Sequence, residues 1–287
     1  MPRLHVDFYS QALSMNTNAA VLLPQSQKDF ISGGARYNGE GKIPVLWLLH
    51  GMGDDYTSWQ RYTNVERYAL ARGIAVVMPS VLSQCFYCDM VKGLAYFEYI
   101  SQEMPRLFRE MFPQLSARRE DNFIAGLSMG GYGALKVALT YPEEYAAVGC
   151  FSAGNLIEME SVLPPEEEAP RFMKNMYGIA RNALGTEKMI DARGTKDDLK
   201  FLFDKALRAG KTLPRIKMYC GTEDFLLPVS DSMAGHISEK LSPPDFTYDK
   251  GPGMHHWDFW DEWLPKFMDS CGLTSTIEAG QFSDVKD

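Results

Sequence analysis

The sequence predicts an α/β protein built on a mostly parallel central sheet, with an antiparallel pair at its N-terminus and helices on both faces. Two observations carry that expectation. Short apolar runs alternate with stretches of helical spacing along most of the chain, as strands joined by crossover helices must. Several of those runs, PVLWLLH (44–50) above all, are apolar without alternation, the pattern of a strand buried on both faces. The 287 residues suffice for one large domain of this kind.

Taken in order, LHVDFYS (4–10) and NAAVLLP (18–24) are rich in strand formers and read as the antiparallel opening pair. After the strand at 44–50 come a helical stretch at 65–71 and a second buried strand at 74–78, stopped by Pro79. Residues 96–111 place Phe97, Ile100, Met104, Leu107, Phe108 and Met111 at helical spacing. FIAGLS (123–128) is a strand, GGYGALKVALTY (130–141) a helix and AAVGCFSA (146–153) a strand. RIKMYCG (215–221) and DFTYDKG (245–251) are two more strands, with a helix at 229–241 between them. A tryptophan-rich helix at 257–268 follows. The domain is expected to span 1–273, leaving a loose polar tail at 274–287. One segment breaks the rhythm. Between strands, 155–214 spends roughly sixty residues where a crossover needs far fewer, including a helical piece at 197–209. It reads as a surface excursion or as a partial cap over a site.

Composition excludes several functions. The formal charge is −8, and the densest basic run is only Arg118–Arg119, which argues against nucleic-acid and anionic-membrane partners. No apolar run reaches membrane-spanning length. MPRLHVDFYSQALSMNT lacks the apolar core and cleavage site of a secretory leader, so a cytoplasmic protein is expected. The five cysteines, Cys85, Cys88, Cys150, Cys220 and Cys271, are odd in number and irregularly spaced, unlike a disulfide framework. Cys85-x-x-Cys88 lacks the second ligand pair a zinc site requires. Neither a metal nor a cofactor is expected.

The chemistry-bearing stretch is Gly126-Leu127-Ser128-Met129-Gly130, a G-x-S-x-G match. In a chain of this size such a match arises by chance about 0.1 times, so context must support it. Here a strand precedes the serine and a glycine-rich helix start follows. The pattern is a sharp strand-to-helix turn that projects one hydroxyl, and the glycines let backbone pack where side chains would collide. A serine hydroxyl needs a base to act as a nucleophile. The acid and base should follow in chain order, at the C-terminal ends of later strands. Asp224 stands just after 215–221, with Glu223 as rival. His255 and His256 stand just after 245–251. Of the other histidines, His5 and His50 precede the serine, and His236 lies within a predicted helix. An oxyanion would be held by the Met129 N–H and by a second donor from HGMGDD (50–55). His50 reads as a brace for that loop. A zinc hydrolase is disfavoured, since His255–His256 lacks the i, i+4 spacing and no H-E-x-x-H occurs.

Beyond these residues the chain resembles the esterase D and tributyrin esterase branch of the α/β-hydrolases, relatives of S-formylglutathione hydrolase, feruloyl and acetyl esterases and the bacterial mycolyltransferases. The likeness runs through HVDFYSQAL, LLHGMGDDYTSW, TNVERYA, VVMPS, AYFEYISQEMP and FIAGLSMGGYGALKVAL, then YCGTEDFL and GMHHWDFW. The resemblance implies an α/β-hydrolase fold. Its G-x-H-x-W pattern falls on Gly253, His255 and Trp257 and so selects His255 over His256. It places the acid on Asp224 and one oxyanion amide on Met52. The chain departs from the pattern where Asp54-Asp55-Tyr56 replaces small residues, and where Phe86 stands in place of a tryptophan.

The expected activity is that of a cofactor-free serine carboxylesterase on a small ester with a short acyl chain, working through Ser128, His255 and Asp224. Alternatives carried forward are a thioesterase of the S-formylglutathione hydrolase kind, a feruloyl or acetyl esterase acting on plant-derived sugar esters, and acyl transfer to an alcohol. A non-catalytic binding module on the same fold is the remote alternative. Homo-oligomerisation is left open.

Overall fold

A computed structural model describes residues 1–25 and 34–275. Its eight strands form one sheet: β1 (Arg3–Ser10), β2 (Met15–Leu22), β3 (Val45–Leu49), β4 (Ala75–Pro79), β5 (Asn122–Leu127), β6 (Ala147–Phe151), β7 (Arg215–Gly221) and β8 (Phe246–Gly251). Their spatial order is β1-β2-β4-β3-β5-β6-β7-β8. β1 and β2 form an antiparallel hairpin in register from Arg3↔Leu22 to Ser10↔Met15, and β2 joins β4 antiparallel. Every later pairing is parallel. The expected architecture is therefore present, including the antiparallel opening pair.

Alternation of side chains sorts the sheet into two cores. Val45, Trp47 and Leu49 of β3 join the cluster containing Tyr99, Phe108, Tyr132 and Phe203. Leu46 and Leu48 point the other way, into the cluster of Trp59, Phe151, Trp260 and Phe267. Burial on both faces explains why no polar residue interrupts that strand. Helix Met129–Thr140 is buried from Met129 to Leu139, lying between the sheet and helix Leu199–Arg208 of the excursion. The excursion itself is a string of short helical pieces, among them Leu156–Val162 and Arg171–Ile179.

Two local features differ from the sequence reading. The stretch expected as one amphipathic helix at 96–111 widens to a π-turn at Tyr99–Glu103 before resuming as Met104–Met111. Pro105 lacks an N–H, so the regular bond to the previous turn cannot form there. A short helix, Ser58–Tyr62, follows β3 where none was anticipated. It is too brief to leave a periodic signal. Of the expected loose tail only 274 and 275 fall within the described residues. Among the described residues no helix is long and apolar enough to cross a membrane.

The chain passes from β3 outward to β4 and returns to place β5 on the other flank of β3. Strand order thus reverses at β3, and the crevice above the C-terminal ends of β3 and β5 is where open α/β sheets bind ligands.

Candidate active site

Ser128 leaves the C-terminal end of β5 with φ 52° and ψ −121°, a conformation that L-residues adopt only under constraint. Its N–H is tied to Phe151 O at 2.8 Å, and its carbonyl accepts from Gly131 N–H at 2.9 Å to open the helix. The glycines around it are sterically required. A Cβ on Gly126 would lie 2.3 Å from Gly130 O, and one on Gly130 would lie 2.5 Å from Leu49 O. Backbone contacts of that closeness cannot be relieved by turning a side chain.

Two loops from distant parts of the chain meet this serine. His255, in the loop after β8, places Nε2 3.0 Å from Ser128 Oγ. Its Nδ1 is 3.0 Å from both Asp224 carboxylate oxygens, Asp224 standing in the loop after β7. The ring is clasped edge-on by Phe225 at 4.8 Å and Trp260 at 5.0 Å between centroids, which leaves it few alternative orientations. Asp224 is buried and accepts a further bond from Leu226 N–H at 2.8 Å. Burial pushes its carboxyl up, but hydrogen bonds from His255, Leu226 and Ser152, together with the imidazole's charge, outweigh that and hold it below its ordinary value. The carboxylate therefore stays ionised at neutral pH and can orient the imidazole.

The sequence-predicted rivals take other duties. His256 caps the C-terminal helix Trp257–Ser270, its Nδ1 accepting from Asp258 N–H. Glu223 is exposed, as expected of a rival acid, yet it does more than face water. It accepts Gly253 N–H at 2.6 Å and Thr222 Oγ1–H at 2.9 Å, tying the acid loop to the histidine loop. Those bonds hold its pKa below the ordinary value. His236 pairs with Asp204 at 3.0 Å on the excursion side. His5 sits at the surface beside Asp7.

His50 braces the loop after β3, as the sequence suggested. Nδ1–H donates to Gly51 O at 2.8 Å, and Nε2 accepts from Val81 N–H at 3.0 Å. Tyr87 O–H donates to His50 O at 3.0 Å, and Trp59 Nε1–H to Leu49 O at 3.0 Å. Complete burial drives the His50 pKa down to about 4, against the smaller upward pull of Gly51 O. The backbone N–H groups of Met52, in this loop, and of Met129, at the helix start, make no hydrogen bond among the described residues. Both belong to segments adjoining Ser128, and Met52 lines the same cleft.

That cleft holds about 200 Å³. Phe86, Leu127, Phe225 and Leu226 form its apolar side, and the excursion adds Met159 and Met176. Asp54, His256 and Trp257 also line the cleft. Sequence reasoning missed several of these residues. Ser152 stands at the end of β6 as Ser128 does at the end of β5, also with positive φ, and takes Trp260 Nε1–H at 3.0 Å while serving Asp224. A second serine at a parallel strand's C-terminal end was the available signal. Met159 and Met176 had none, because hydrophobic contact from a long excursion carries no local pattern.

Among the described residues no cluster of three or more His, Cys, Asp or Glu is placed to hold a metal ion. Cys85 and Cys88 are buried thiols. Burial raises Cys85 strongly and Cys88 to about 12, the latter despite Lys136 beside it.

Fold and site geometry together define an α/β-hydrolase. The chain belongs to the esterase family: residues 10–269 match the family model "Putative esterase". An acetyl esterase of Caldicellulosiruptor saccharolyticus is 29% identical over 94% of this chain and 100% of its own length. Among solved structures, the fluorophosphonate-binding serine hydrolase FphF of Staphylococcus aureus is 30% identical, with a TM-score of 0.78 over 94% of this chain and 98% of its own. The S-formylglutathione hydrolase FrmB of Staphylococcus aureus is 29% identical, with a TM-score of 0.75 over the same shares.

Proposed function

We propose that this enzyme is a serine carboxylesterase that cleaves short-chain acyl esters through an acyl-enzyme. The observation that carries the reading is the unbroken hydrogen-bonded line from Ser128 Oγ through His255 to Asp224, opening on the cleft. Ser128 Oγ attacks the ester carbonyl as His255 Nε2 takes its proton, and Asp224 stabilises the resulting imidazolium. The Met52 and Met129 N–H groups receive the developing oxyanion, each donor supplying on the order of a hundredfold in rate. His255 then returns the proton to the departing alcohol, and water repeats the cycle on the acyl-enzyme. A space of about 200 Å³, part of which must take the alcohol, favours acetyl to butyryl chains. Residues 155–214 act as a partial cap, supported by Met159 and Met176 in the cleft wall. A cytoplasmic location goes with this reading, the five cysteines being buried thiols.

The test is hydrolysis of p-nitrophenyl acetate, butyrate and octanoate by wild type and Ser128→Ala, with fluorophosphonate labelling in parallel. Wild type should prefer the shorter chains and be labelled, and Ser128→Ala should lose at least a thousandfold in kcat/KM and all labelling. Equal rates in the two proteins would end the proposal.

A further inference from the structure

The cleft lining carries one carboxylate. Asp54 lines the cleft together with Ser128, and both stand close to Gly51: a methyl placed on Gly51 would lie 3.2 Å from Asp54 Oδ2 and 3.6 Å from Ser128 Cβ. No lysine or arginine is among the lining residues, and among the described residues none forms an ion pair with Asp54. The neighbouring carboxylates add to the same sign. Asp55 turns back to bond Thr57 N–H at 2.8 Å, and Asp258 lies exposed beyond His256. Partial burial, with a smaller push from Asp55, raises the Asp54 carboxyl against opposing bonds from Ser58 and Gly51 and the weaker pull of Arg61, which is not among the lining residues. A half-desolvated, unpaired carboxylate acts on a neighbouring charge more strongly than one in open water.

We propose that Asp54 makes the enzyme selective by charge: it admits esters whose alcohol part is neutral or cationic and discriminates against those whose alcohol part is anionic. This rests on the esterase reading above. Because the acyl group is short, any charged group on the substrate belongs to the alcohol, which shares the cleft with Asp54. Two unit charges about 7 Å apart in a partly screened cleft shift a specificity constant by roughly three- to thirtyfold. The inference also ranks the alternatives. Glutathione bears net negative charge, so its S-formyl thioester meets repulsion with no cation in the cleft to offset it.

The experiment compares kcat/KM for three acetates at pH 8: 4-acetoxybenzoate, its neutral methyl ester, and the (4-acetoxyphenyl)trimethylammonium cation. Wild type and Asp54→Asn are run at about 20 mM and about 500 mM salt. Ratios to the neutral ester, compared between the two proteins, cancel intrinsic leaving-group reactivity and any general loss of rate. Asp54→Asn should raise the anion-to-neutral ratio and lower the cation-to-neutral ratio, each by roughly three- to thirtyfold. Added salt should move the wild-type ratios in the same directions. Unchanged ratios in Asp54→Asn, with the neutral ester still cleaved, would overturn the charge assignment while leaving the esterase reading intact. Should Asp54→Asn fail to fold, a wild-type response flat with salt overturns it equally. If wild type cleaves none of the three, the esterase reading fails and takes this inference with it.

Discussion

Acid should weaken this protein through a histidine that does no chemistry. His50 is 1% exposed and neutral, with Nδ1–H given to Gly51 O and Nε2 taken by Val81 N–H. A proton on Nε2 would break the second bond and bury a charge. Its pKa accordingly falls from 6.5 to about 4 in the folded state, burial being the main cause. The sign follows from linkage. Below pH 6.5 the unfolded chain binds a proton that the native state refuses until about pH 4, so this stabilisation is complete above 6.5 and is lost across that window. At about 1.4 kcal/mol per unit, a gap of roughly 2.5 units amounts to about 3 kcal/mol, a large share of ordinary domain stability. His50→Gln keeps a carbonyl oxygen for Val81 N–H and cannot titrate. Urea unfolding followed by the fluorescence of the five tryptophans, at intervals from pH 7 to pH 4, gives the stability of each protein by linear extrapolation. Wild type starts the more stable, and its advantage should shrink by about 3 kcal/mol as pH falls to 4. Carboxylates such as Asp224 titrate alike in both proteins and cancel in the difference. A constant advantage across the window would refute the account of His50 as a neutral brace.

Other outcomes follow from the same structure. Gly130→Ala sets a methyl 2.5 Å from Leu49 O, so it should cost about 1–3 kcal/mol in urea stability and at least tenfold in kcat/KM; near-wild-type values for both would contradict the packing at the serine turn. Asp197→Asn strands the buried Lys136, now held at 2.5 Å by that carboxylate, and should cost about 3–5 kcal/mol. The pair Lys136→Met with Asp197→Leu should regain most of it, and a double variant no better than the single would contradict this. With all five thiols buried and Cys88 near a pKa of about 12, an aromatic disulfide reagent at pH 8 should leave the native thiols unmodified for many minutes and the activity unchanged, with full reaction only in urea.

The strands were legible because a parallel sheet buries both faces and leaves an uninterrupted apolar word. PVLWLLH gave β3, and FIAGLS gave β5 with its serine turn. Both antiparallel opening strands were found from their β-formers. What failed was shorter or depended on backbone strain. The helix Ser58–Tyr62 spans little more than one turn, and the π-turn at Tyr99–Glu103 depends on a proline downstream that a hydrophobic periodicity does not register.

At the site, legibility divided along the same line. Ser128, Asp224 and the 255–256 pair were readable because each follows a strand and their chain order is constrained by the fold. The choice of His255 was not local, since it needed the G-x-H-x-W resemblance. The physical reason lies in the loop. Trp260 and Phe225 close on one ring only, while the neighbouring imidazole caps the helix that starts at Trp257. Nothing within two adjacent residues of one type can announce which meets the serine; that is decided by aromatic partners five positions ahead of His255 and thirty behind it. The same holds for Asp54. In sequence it is one acid in a turn, and only the folding of 50–55 against the end of β5 brings its charge near Gly51 and into the cleft of Ser128. Residues proposed to perform the reaction are constrained by chemistry and leave a motif, whereas those proposed to choose the substrate are constrained by a shape assembled from distant segments. The substrate preference of this enzyme therefore has to be sought in side chains such as Asp54, Met159 and Met176, whose positions arise only on folding.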